Sequence, residues 1–371
     1  MMQMLDFSTQ SFKASSDRIL NSLYDIASQV QIESNFCIRH PDYKPLELPP
    51  DVIARFQGLP LQLQTKYQAL QLQSFLYGIY YNGSLRKALA PEGEELALEQ
   101  ILENNRFQGV DLKFYERLHH KNHGTGYFDP GWTVLRQEED STLAVIKDNL
   151  TLHIERERHL RLDQQSVAVG DVVAIRLPQN RVQSGFYMAV SNISSRDRNP
   201  AHESECVRIY FNVSPEGAIA MMDALTQQLN DITIPFKFKA LYNPSDYDRY
   251  DSTVLYLEKQ DYEVVRQVLQ DVYSEKRSYF QPEVPLFTKC LAPGLALAEE
   301  PNCRLASKES FGTNRCQIVA RGLLEAQQIG DESPEGRVTA ILQQFSHLGI
   351  DVNHPYLNAN SEDTYAPLEP C

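Results

Sequence analysis

The stretch Val207-Arg208-Ile209-Tyr210-Phe211-Asn212-Val213 alternates polar and apolar side chains. A period of two is typical of a β-strand that buries one face and carries polar groups on the other. The same pattern recurs in Pro235-Phe236-Lys237-Phe238-Lys239-Ala240-Leu241. Both strands carry cationic side chains on their polar faces, and we expect these faces to share one surface of a sheet.

The segments around these two strands predict the fold class. Ser214-Pro215-Glu216 has the composition of a helix start, with Ser at the cap, Pro at the first position and an acid in the first turn. Ser252–Leu257 predicts another strand, and Asp261 begins a helix that continues through Tyr273. The order strand, helix, strand, strand, helix predicts an α+β fold in which an antiparallel or mixed sheet packs on helices.

Residues from about 14 to 105 are predicted to form a helical N-terminal layer. One helix covers Ser16–Ile32 and another covers Gly93–Asn104. Between them, a single helix starts at Pro50 and continues through Leu61, Tyr67, Leu70, Phe75 and Tyr80. Segments rich in Val, Ile and Thr then predict strands at Thr142–Ile146, Leu150–Glu155, Ser166–Leu177 and Gly185–Asn192. We therefore divide the chain into a helical region, 1–105, and an α+β domain, 106–371.

Composition restricts the function classes. The 371 residues carry a formal net charge of -14, with 49 acidic and 35 basic residues, which opposes nonspecific binding to nucleic acid or to an anionic membrane. No apolar run approaches the roughly 20 residues that span a bilayer, and the N-terminus lacks a signal-peptide pattern, so we expect a cytoplasmic protein. The six cysteines lack paired spacing, which favours reduced thiols.

Nucleotide and metal sites are not predicted. The loop Asn122–Trp132 contains spaced glycines but matches neither a Walker loop nor a dinucleotide fingerprint, so a packed loop with a capping His123 is the favoured interpretation. The pair His119-His120 has no further ligands at metal-binding spacing. We expect no cofactor.

Cations recur next to aromatic, glycine or hydroxyl residues. They do so in Lys237-Phe238-Lys239, Asp248-Arg249-Tyr250-Asp251, Phe287-Thr288-Lys289 and Ser310-Phe311-Gly312-Thr313-Asn314-Arg315. For any one of them, a solvated cation whose stem covers apolar surface is the alternative. Together, the planar guanidinium groups of Arg208, Arg249 and Arg315 suit a phosphomonoester, with Lys289 as a point charge. Such cations would also lower the pKa of Lys237, which would supply the neutral amine that a base requires.

Residues 110–325 resemble the HopA-type effector proteins, whose relatives act as lyases in class V lanthipeptide and thioamitide biosynthesis. The loop Asn122–Trp132 fits this resemblance, and four further segments carry it: Val207–Ala218, Pro235–Leu257, Phe287–Glu299 and Ser310–Arg315. The family is distantly similar to phosphothreonine lyases, which remove phosphate from a phosphorylated side chain by β-elimination and leave an unsaturated residue.

The resemblance implies roles for individual residues. Lys237, twelve residues before Arg249, is similar to the lyase base, and Arg249 to a phosphate clamp. The Arg208-Ile209-Tyr210 segment is similar to the Lys-x-His pair of the lyases, with Tyr210 in place of the general-acid histidine. His123 and Lys239 are the alternative acids. The predicted phosphate- and substrate-binding set is Arg208, Arg249, Lys289, Arg315, Tyr256 and Asn212.

The sequence therefore predicts a metal-independent lyase that converts phosphoserine or phosphothreonine to dehydroalanine or dehydrobutyrine. A phosphorylated precursor peptide is the expected substrate. Because no kinase loop occurs in the sequence, a kinase subunit and a leader peptide are expected partners. The alternatives are a non-catalytic phosphopeptide-binding or effector module, and a scaffold whose helical N-terminus docks another protein.

Overall fold

The computed structural model describes residues 18–33, 36–91, 106–107, 109–193, 205–305 and 309–369. The helices of these segments, in chain order, are α1 (18–29), α2 (Pro50–Gln57), α3 (Leu61–Leu76), α4 (Leu112–His120), α5 (Arg156–His159), α6 (Pro215–Asp231), α7 (Tyr262–Lys276), α8 (Phe311–Ile329) and α9 (Pro334–His347). A π-helical turn, Tyr77–Tyr81, continues α3. None of the described helices is long and apolar enough to cross a lipid bilayer.

The strands are β1 (Gln31–Ile32), β2 (Ile38–His40), β3 (Tyr43–Leu46), β4 (Arg106–Phe107), β5 (Val110–Asp111), β6 (Tyr127–Gln137), β7 (Leu143–Lys147), β8 (Leu150–Ile154), β9 (Val172–Leu177), β10 (Asn180–Gln183), β11 (Phe186–Val190), β12 (Cys206–Phe211), β13 (Phe236–Leu241), β14 (Thr253–Glu258), β15 (Lys289–Ala292) and β16 (Leu295–Glu299). The main sheet has the order β10-β11-β13-β14-β12-β16-β15, and a four-stranded sheet has the order β8-β7-β6-β9. Every neighbouring pair in both sheets is antiparallel. The predicted α+β class is confirmed.

Local sequence signals explain where the elements begin. The predicted order from Val207 corresponds to β12, α6, β13, β14 and α7. Ser214 is the N-cap of α6, and its Oγ accepts a hydrogen bond from the Gly217 N–H at 3.2 Å. The four strands predicted between residues 142 and 192 correspond to β7, β8, β9 and β11.

The N-terminal layer differs from the prediction in two respects. The helix that is predicted over Ser16–Ile32 ends at residue 29, and Gln31–Ile32 forms β1, which pairs with β2. The helix that was predicted from Pro50 through Tyr80 is divided into α2, α3 and the π-helical turn. Pro60 interrupts it, because proline has no N–H to donate and disfavours a helical conformation in the preceding residue. The predicted helix Gly93–Asn104 and the domain boundary after residue 105 lie outside the described residues.

The main sheet is covered on both faces. On one face, the Phe211 ring lies 6.3 Å from that of Phe280, which lies 4.8 Å from that of Tyr273 on α7. Helix α6 packs against α7 on this side. On the other face, Tyr210 contacts Tyr81 of the π-helical turn and Phe311 of α8, with ring centroids 6.5 Å away in both cases. The N-terminal helices thus share a hydrophobic core with the sheet.

Candidate functional site

Strand register brings three of the six predicted cations onto one face of the main sheet. Lys237 lies opposite Tyr256, and Tyr256 lies opposite Arg208. In the next row of the same face, Lys239 and Tyr210 both lie opposite Val254. Residues directly opposite each other in a ladder point to the same side of the sheet. We call the side that carries these five functional side chains, Lys237, Lys239, Arg208, Tyr210 and Tyr256, the cationic face.

Tyr256 is the centre of this face. The Arg208 guanidinium lies 5.1 Å from the centroid of the Tyr256 ring, and the Lys239 ammonium lies 5.4 Å from it. Lys239 also lies 4.4 Å from the centroid of the Phe186 ring. Aromatic rings attract cations electrostatically without neutralising them. Tyr256 and Phe186 therefore hold two positive charges close together without removing either charge.

Lys237 differs from most cations of the chain, because no carboxylate pairs with it in the described segments and its ammonium makes no hydrogen bond there. Its side chain is accessible to solvent. The surrounding protein nevertheless lowers the pKa of Lys237 by desolvation, and the charge of Arg181 lowers it further. Lys237 thus loses its proton more readily than an ordinary lysine.

A cavity of about 640 Å³ opens beside Lys237. The main sheet contributes Lys237 and Tyr256 to its wall, and the four-stranded sheet contributes Trp132 and Lys147. Lys147 donates to Asp129 at 2.6 Å, and the Trp132 indole donates to the same carboxylate at 2.7 Å. The wall facing Lys237 is thus held by its own hydrogen bonds, and the cavity has room for a segment of a ligand.

Arg208 and Arg249 both have carboxylate partners. Arg208 is 8% exposed and donates through Nε to Glu300. Arg249 donates through Nε and Nη2 to the two oxygens of Asp251, at 2.5 and 3.0 Å. In the described segments, the Nη groups of Arg208 and Nη1 of Arg249 make no hydrogen bond. Both guanidinium groups thus keep N–H donors for an anion while their positions are fixed.

Asp251 joins the N-terminal layer to the site. Its carboxylate also accepts hydrogen bonds from the Tyr77 hydroxyl and the Asn82 amide, both at 3.1 Å. Burial alone would raise the pKa of Asp251, but the charge and hydrogen bonds of Arg249 outweigh it and hold the pKa below its ordinary value. Lys239 adds to this effect. The Arg249 and Asp251 pair is therefore ionised and anchored.

Tyr210 and Asn212 are buried at the closed end of the cationic face. Tyr210 is 2% exposed, and its hydroxyl has no hydrogen-bond partner in the described part of the chain. Burial raises the pKa of Tyr210, although the charge of Arg208 opposes this shift. Asn212 is fully buried and donates to the Glu283 carbonyl at 3.0 Å. Tyr210 is therefore a protonated phenol beneath two aromatic rings.

Two predicted site residues lie away from the cationic face. Lys289 lies opposite Leu297, which lies opposite Ile209, so the register places Lys289 on the other side of the sheet, where Asp363 accepts its hydrogen bond at 2.6 Å. His123 bonds to Asp223 of α6 at 2.8 Å, on the side that α6 and α7 cover. No group of three or more His, Cys, Asp and Glu side chains in the described ranges is arranged to hold a metal.

Arg315 has a different set of partners. It is 1% exposed and donates to the carbonyls of Pro355 and Leu357, at 2.7 and 2.9 Å, and to the Asn314 side chain at 2.5 Å. Burial lowers the pKa of Arg315 to about 10, so the group stays charged at neutral pH. These contacts fasten the C-terminal segment to α8.

Sequence reasoning missed two residues of this region. Arg181 of β10 lies opposite Met188, which lies opposite Lys239, so Arg181 belongs to the cationic face. Its guanidinium donates to the Tyr127 hydroxyl and lies 5.4 Å from that ring. The four-residue strand around Arg181 is too short for its alternation to stand out. Asp251 lies two residues after Arg249, in a motif whose cation alone indicates a binding site.

Two solved structures of effector proteins from Pseudomonas syringae are similar to the chain. The one from pv. tomato strain DC3000 is 17% identical, with a TM-score of 0.42, over 78% of this chain and 90% of the other. The one from pv. syringae strain 61 is 14% identical, with a TM-score of 0.39, over 80% and 98%. No curated protein matches the chain.

The family model of the HopA1 effector proteins matches residues 177–357. This range contains every strand of the main sheet and the whole cationic face. The matched range is just under half of the chain, and over this range the chain is similar to the HopA1 effector proteins.

Proposed function

We propose that the chain is a lyase that eliminates phosphate from phosphoserine or phosphothreonine in a peptide. The single observation that carries the proposal is Lys237, an unpaired lysine with a lowered pKa on a face that holds three further cations. A phosphoryl group carries between one and two negative charges at neutral pH, so it favours such a face. Removal of a proton from Cα requires a neutral amine, which the lowered pKa favours.

In the proposed elimination, Lys237 accepts one proton and Lys239 donates one. The neutral Lys237 amine takes the Cα proton, and the electron pair of the broken C–H bond forms the Cα=Cβ double bond. The bond between Cβ and the phosphate oxygen breaks. The Lys239 ammonium gives its proton to the leaving oxygen. The peptide loses phosphoric acid, and a proton passes from Lys237 to Lys239 through solvent before the next turnover.

Lys239 suits the acid role better than the other two candidates. Lys237 and Lys239 are two residues apart on one strand face, about 7 Å along β13. The Tyr210 hydroxyl is enclosed beneath Tyr81 and Phe311, and His123 is bonded to α6 beyond the opposite face. Lys239 thus faces the same space as the base. The free N–H groups of Arg249 and Arg208 would then hold the phosphate oxygens.

The proposed substrate is a phosphorylated precursor peptide, with a kinase subunit and a leader peptide as partners. The cavity beside Lys237 supports a peptide substrate, because its volume of about 640 Å³ exceeds what a phosphate alone needs. The negative net charge of the chain supports a restricted cationic site over general attraction to anions.

Intact-mass spectrometry of a phosphoserine peptide incubated with the protein tests this proposal. Elimination removes phosphoric acid and leaves dehydroalanine, which a thiol then traps as an adduct. Hydrolysis would leave serine, which forms no adduct and would contradict the lyase. Tight binding with an unchanged mass would support the second candidate, a phosphopeptide-binding module that uses the same arginines.

A further inference from the structure

A second cavity, of about 440 Å³, lies where α1, the π-helical turn and residues 282–290 meet. Two arginines line it, Arg18 and Arg86. The other polar side chains of its wall are those of Ser22, Tyr80, Tyr250, Glu283 and Cys290. None of these seven residues has a role in the proposed lyase site.

Neither arginine is paired with a carboxylate in the described segments. Arg18 donates through Nη2 to the Val284 carbonyl at 2.8 Å. Arg86 donates through Nε to the Ile79 carbonyl at 2.8 Å and through Nη1 to the Tyr250 hydroxyl at 2.7 Å. The Arg86 guanidinium also lies 5.5 Å from the centroid of the Tyr250 ring. Every one of these partners is neutral, so two positive charges remain in the cavity.

No other residue of the wall forms an ion pair with either arginine in the described segments. Desolvation by the surrounding protein raises the pKa of the Cys290 thiol, so the thiol carries no charge at neutral pH. Burial, together with the hydrogen bond to Asp25, also raises the pKa of Tyr80. Glu283 is exposed and pairs with neither arginine. Arg18 keeps contact with solvent, but the surrounding protein lowers its pKa by desolvation.

We propose that this cavity binds a phosphoryl group, with Arg18 and Arg86 as its ligands. Each guanidinium keeps N–H donors that make no protein hydrogen bond in the described segments, and a planar fork of such donors matches phosphate oxygens. Tyr250 connects this cavity to the lyase site, because Arg249 and Asp251 are its neighbours in the chain. If the proposed function holds, the group is a second phosphate on a multiply phosphorylated peptide; free inorganic phosphate is the other source.

Titration calorimetry with inorganic phosphate tests the cavity apart from the lyase site. The full chain carries Lys237→Ala and Lys239→Ala in every sample, which removes the two unpaired lysines of the cationic face. Arg208 and Arg249 are unchanged in every sample, so phosphate that they bind does not differ between samples. We expect phosphate to bind this background, and either Arg18→Gln or Arg86→Gln to weaken it about tenfold or more. Arg266→Gln is the matched control, because Arg266 is paired with Glu263 on α7. Equal affinity in all four proteins, or no binding, would overturn the proposal.

Two peptides then distinguish the source of the group. In the same background, a doubly phosphorylated peptide that binds about tenfold tighter than the singly phosphorylated one, with the difference lost in Arg86→Gln, assigns the cavity to substrate. Equal affinities of the two peptides, together with arginine-dependent binding of inorganic phosphate, assign it to free phosphate. Thermal unfolding of each variant without ligand shows that it is folded. Because every sample lacks Lys237 and Lys239, the outcome of these binding measurements does not depend on lyase activity.

Discussion

Lys237 and Arg208 face the same residue, Tyr256, from opposite sides of β14. Two strand spacings, about 10 Å, separate their backbones, and Tyr256 lies on the strand between them. The two cations differ in their ion-pair partners: Glu300 pairs with Arg208, whereas no described carboxylate pairs with Lys237. Because of this difference, Arg208 stays positively charged, whereas Lys237 can exchange a proton.

The pH dependence of elimination reports on Lys237. Desolvation, assisted by Arg181, lowers the pKa of this lysine below 10.5, and only its neutral form accepts the Cα proton. The rate therefore rises with pH and levels off below the pH expected of an ordinary lysine. Arg181→Gln removes a repulsion, so it raises the pKa of Lys237 and slows elimination at neutral pH about two- to fivefold.

Arg176→Gln is the control for Arg181, because Arg176 is an exposed arginine of β9 that donates to the Thr125 carbonyl. Steady-state rates across the pH range compare the two variants with the parent protein. If Arg181→Gln leaves the pH dependence of the rate unchanged, Lys237 does not set the rate.

Substitution of the two possible acids on the cationic face separates their roles. Lys239→Met lowers the elimination rate about 100-fold or more, because the leaving phosphate loses its proton donor. Tyr210→Phe retains activity, and it changes the free energy of unfolding by less than about 1 kcal/mol, since the hydroxyl has no hydrogen bond to lose. Single-turnover rates and urea denaturation measure both effects. The opposite pattern of activities would make the phenol the acid.

Asp251 is expected to stabilise the fold strongly. Asp251→Asn leaves the Arg249 charge without its carboxylate in a site where Asp251 is 5% exposed, so it lowers the free energy of unfolding by about 3 kcal/mol or more. Asp248→Asn breaks an exposed pair with Lys87 and costs less than about 1 kcal/mol. Urea denaturation compares them, and equal losses would refute the structural role of the buried pair.

Gly312 determines how closely α8 approaches the π-helical turn. A Cβ at this position would overlap the Tyr81 ring, which covers Tyr210. We expect Gly312→Ala to destabilise the protein by about 1–3 kcal/mol through overpacking. Gly58→Ala is the control, because the nearest atom to its Cβ would be a backbone oxygen at 3.5 Å. If the unfolding temperature of Gly312→Ala is unchanged, the π-helical turn accommodates the added methyl group without loss of stability.

The sequence predicted the parts of the site that depend on strand alternation. A period of two placed Arg208 and Tyr210 on one face, and likewise Lys237 and Lys239, and the helix signals at Ser214 supplied the order of elements. Pairing between strands that are distant in sequence determines the rest. The position of Lys289 on the other face depends on the partner that β15 chooses, and alternation within β15 carries no information about that partner.

The sequence also did not predict which residues of the site are buried. Tyr210 becomes enclosed because Tyr81 and Phe311, which are far from it along the chain, meet over its ring. The Arg315 guanidinium donates hydrogen bonds to the carbonyls of Pro355 and Leu357. Every residue has a backbone carbonyl, so the sequence does not indicate which carbonyls accept these bonds. Arginines that bind phosphate and arginines that fasten a chain segment have the same sequence signal.

Substitution of Lys237 tests the lyase most directly. Intact-mass spectrometry follows a phosphoserine peptide incubated with the parent protein, with Lys237→Ala, and with Lys259→Ala, whose lysine is paired with Glu299. We predict that the parent and Lys259→Ala convert the peptide to dehydroalanine with loss of phosphoric acid, while Lys237→Ala still binds the peptide and leaves its mass unchanged. Full elimination by Lys237→Ala would contradict the mechanism.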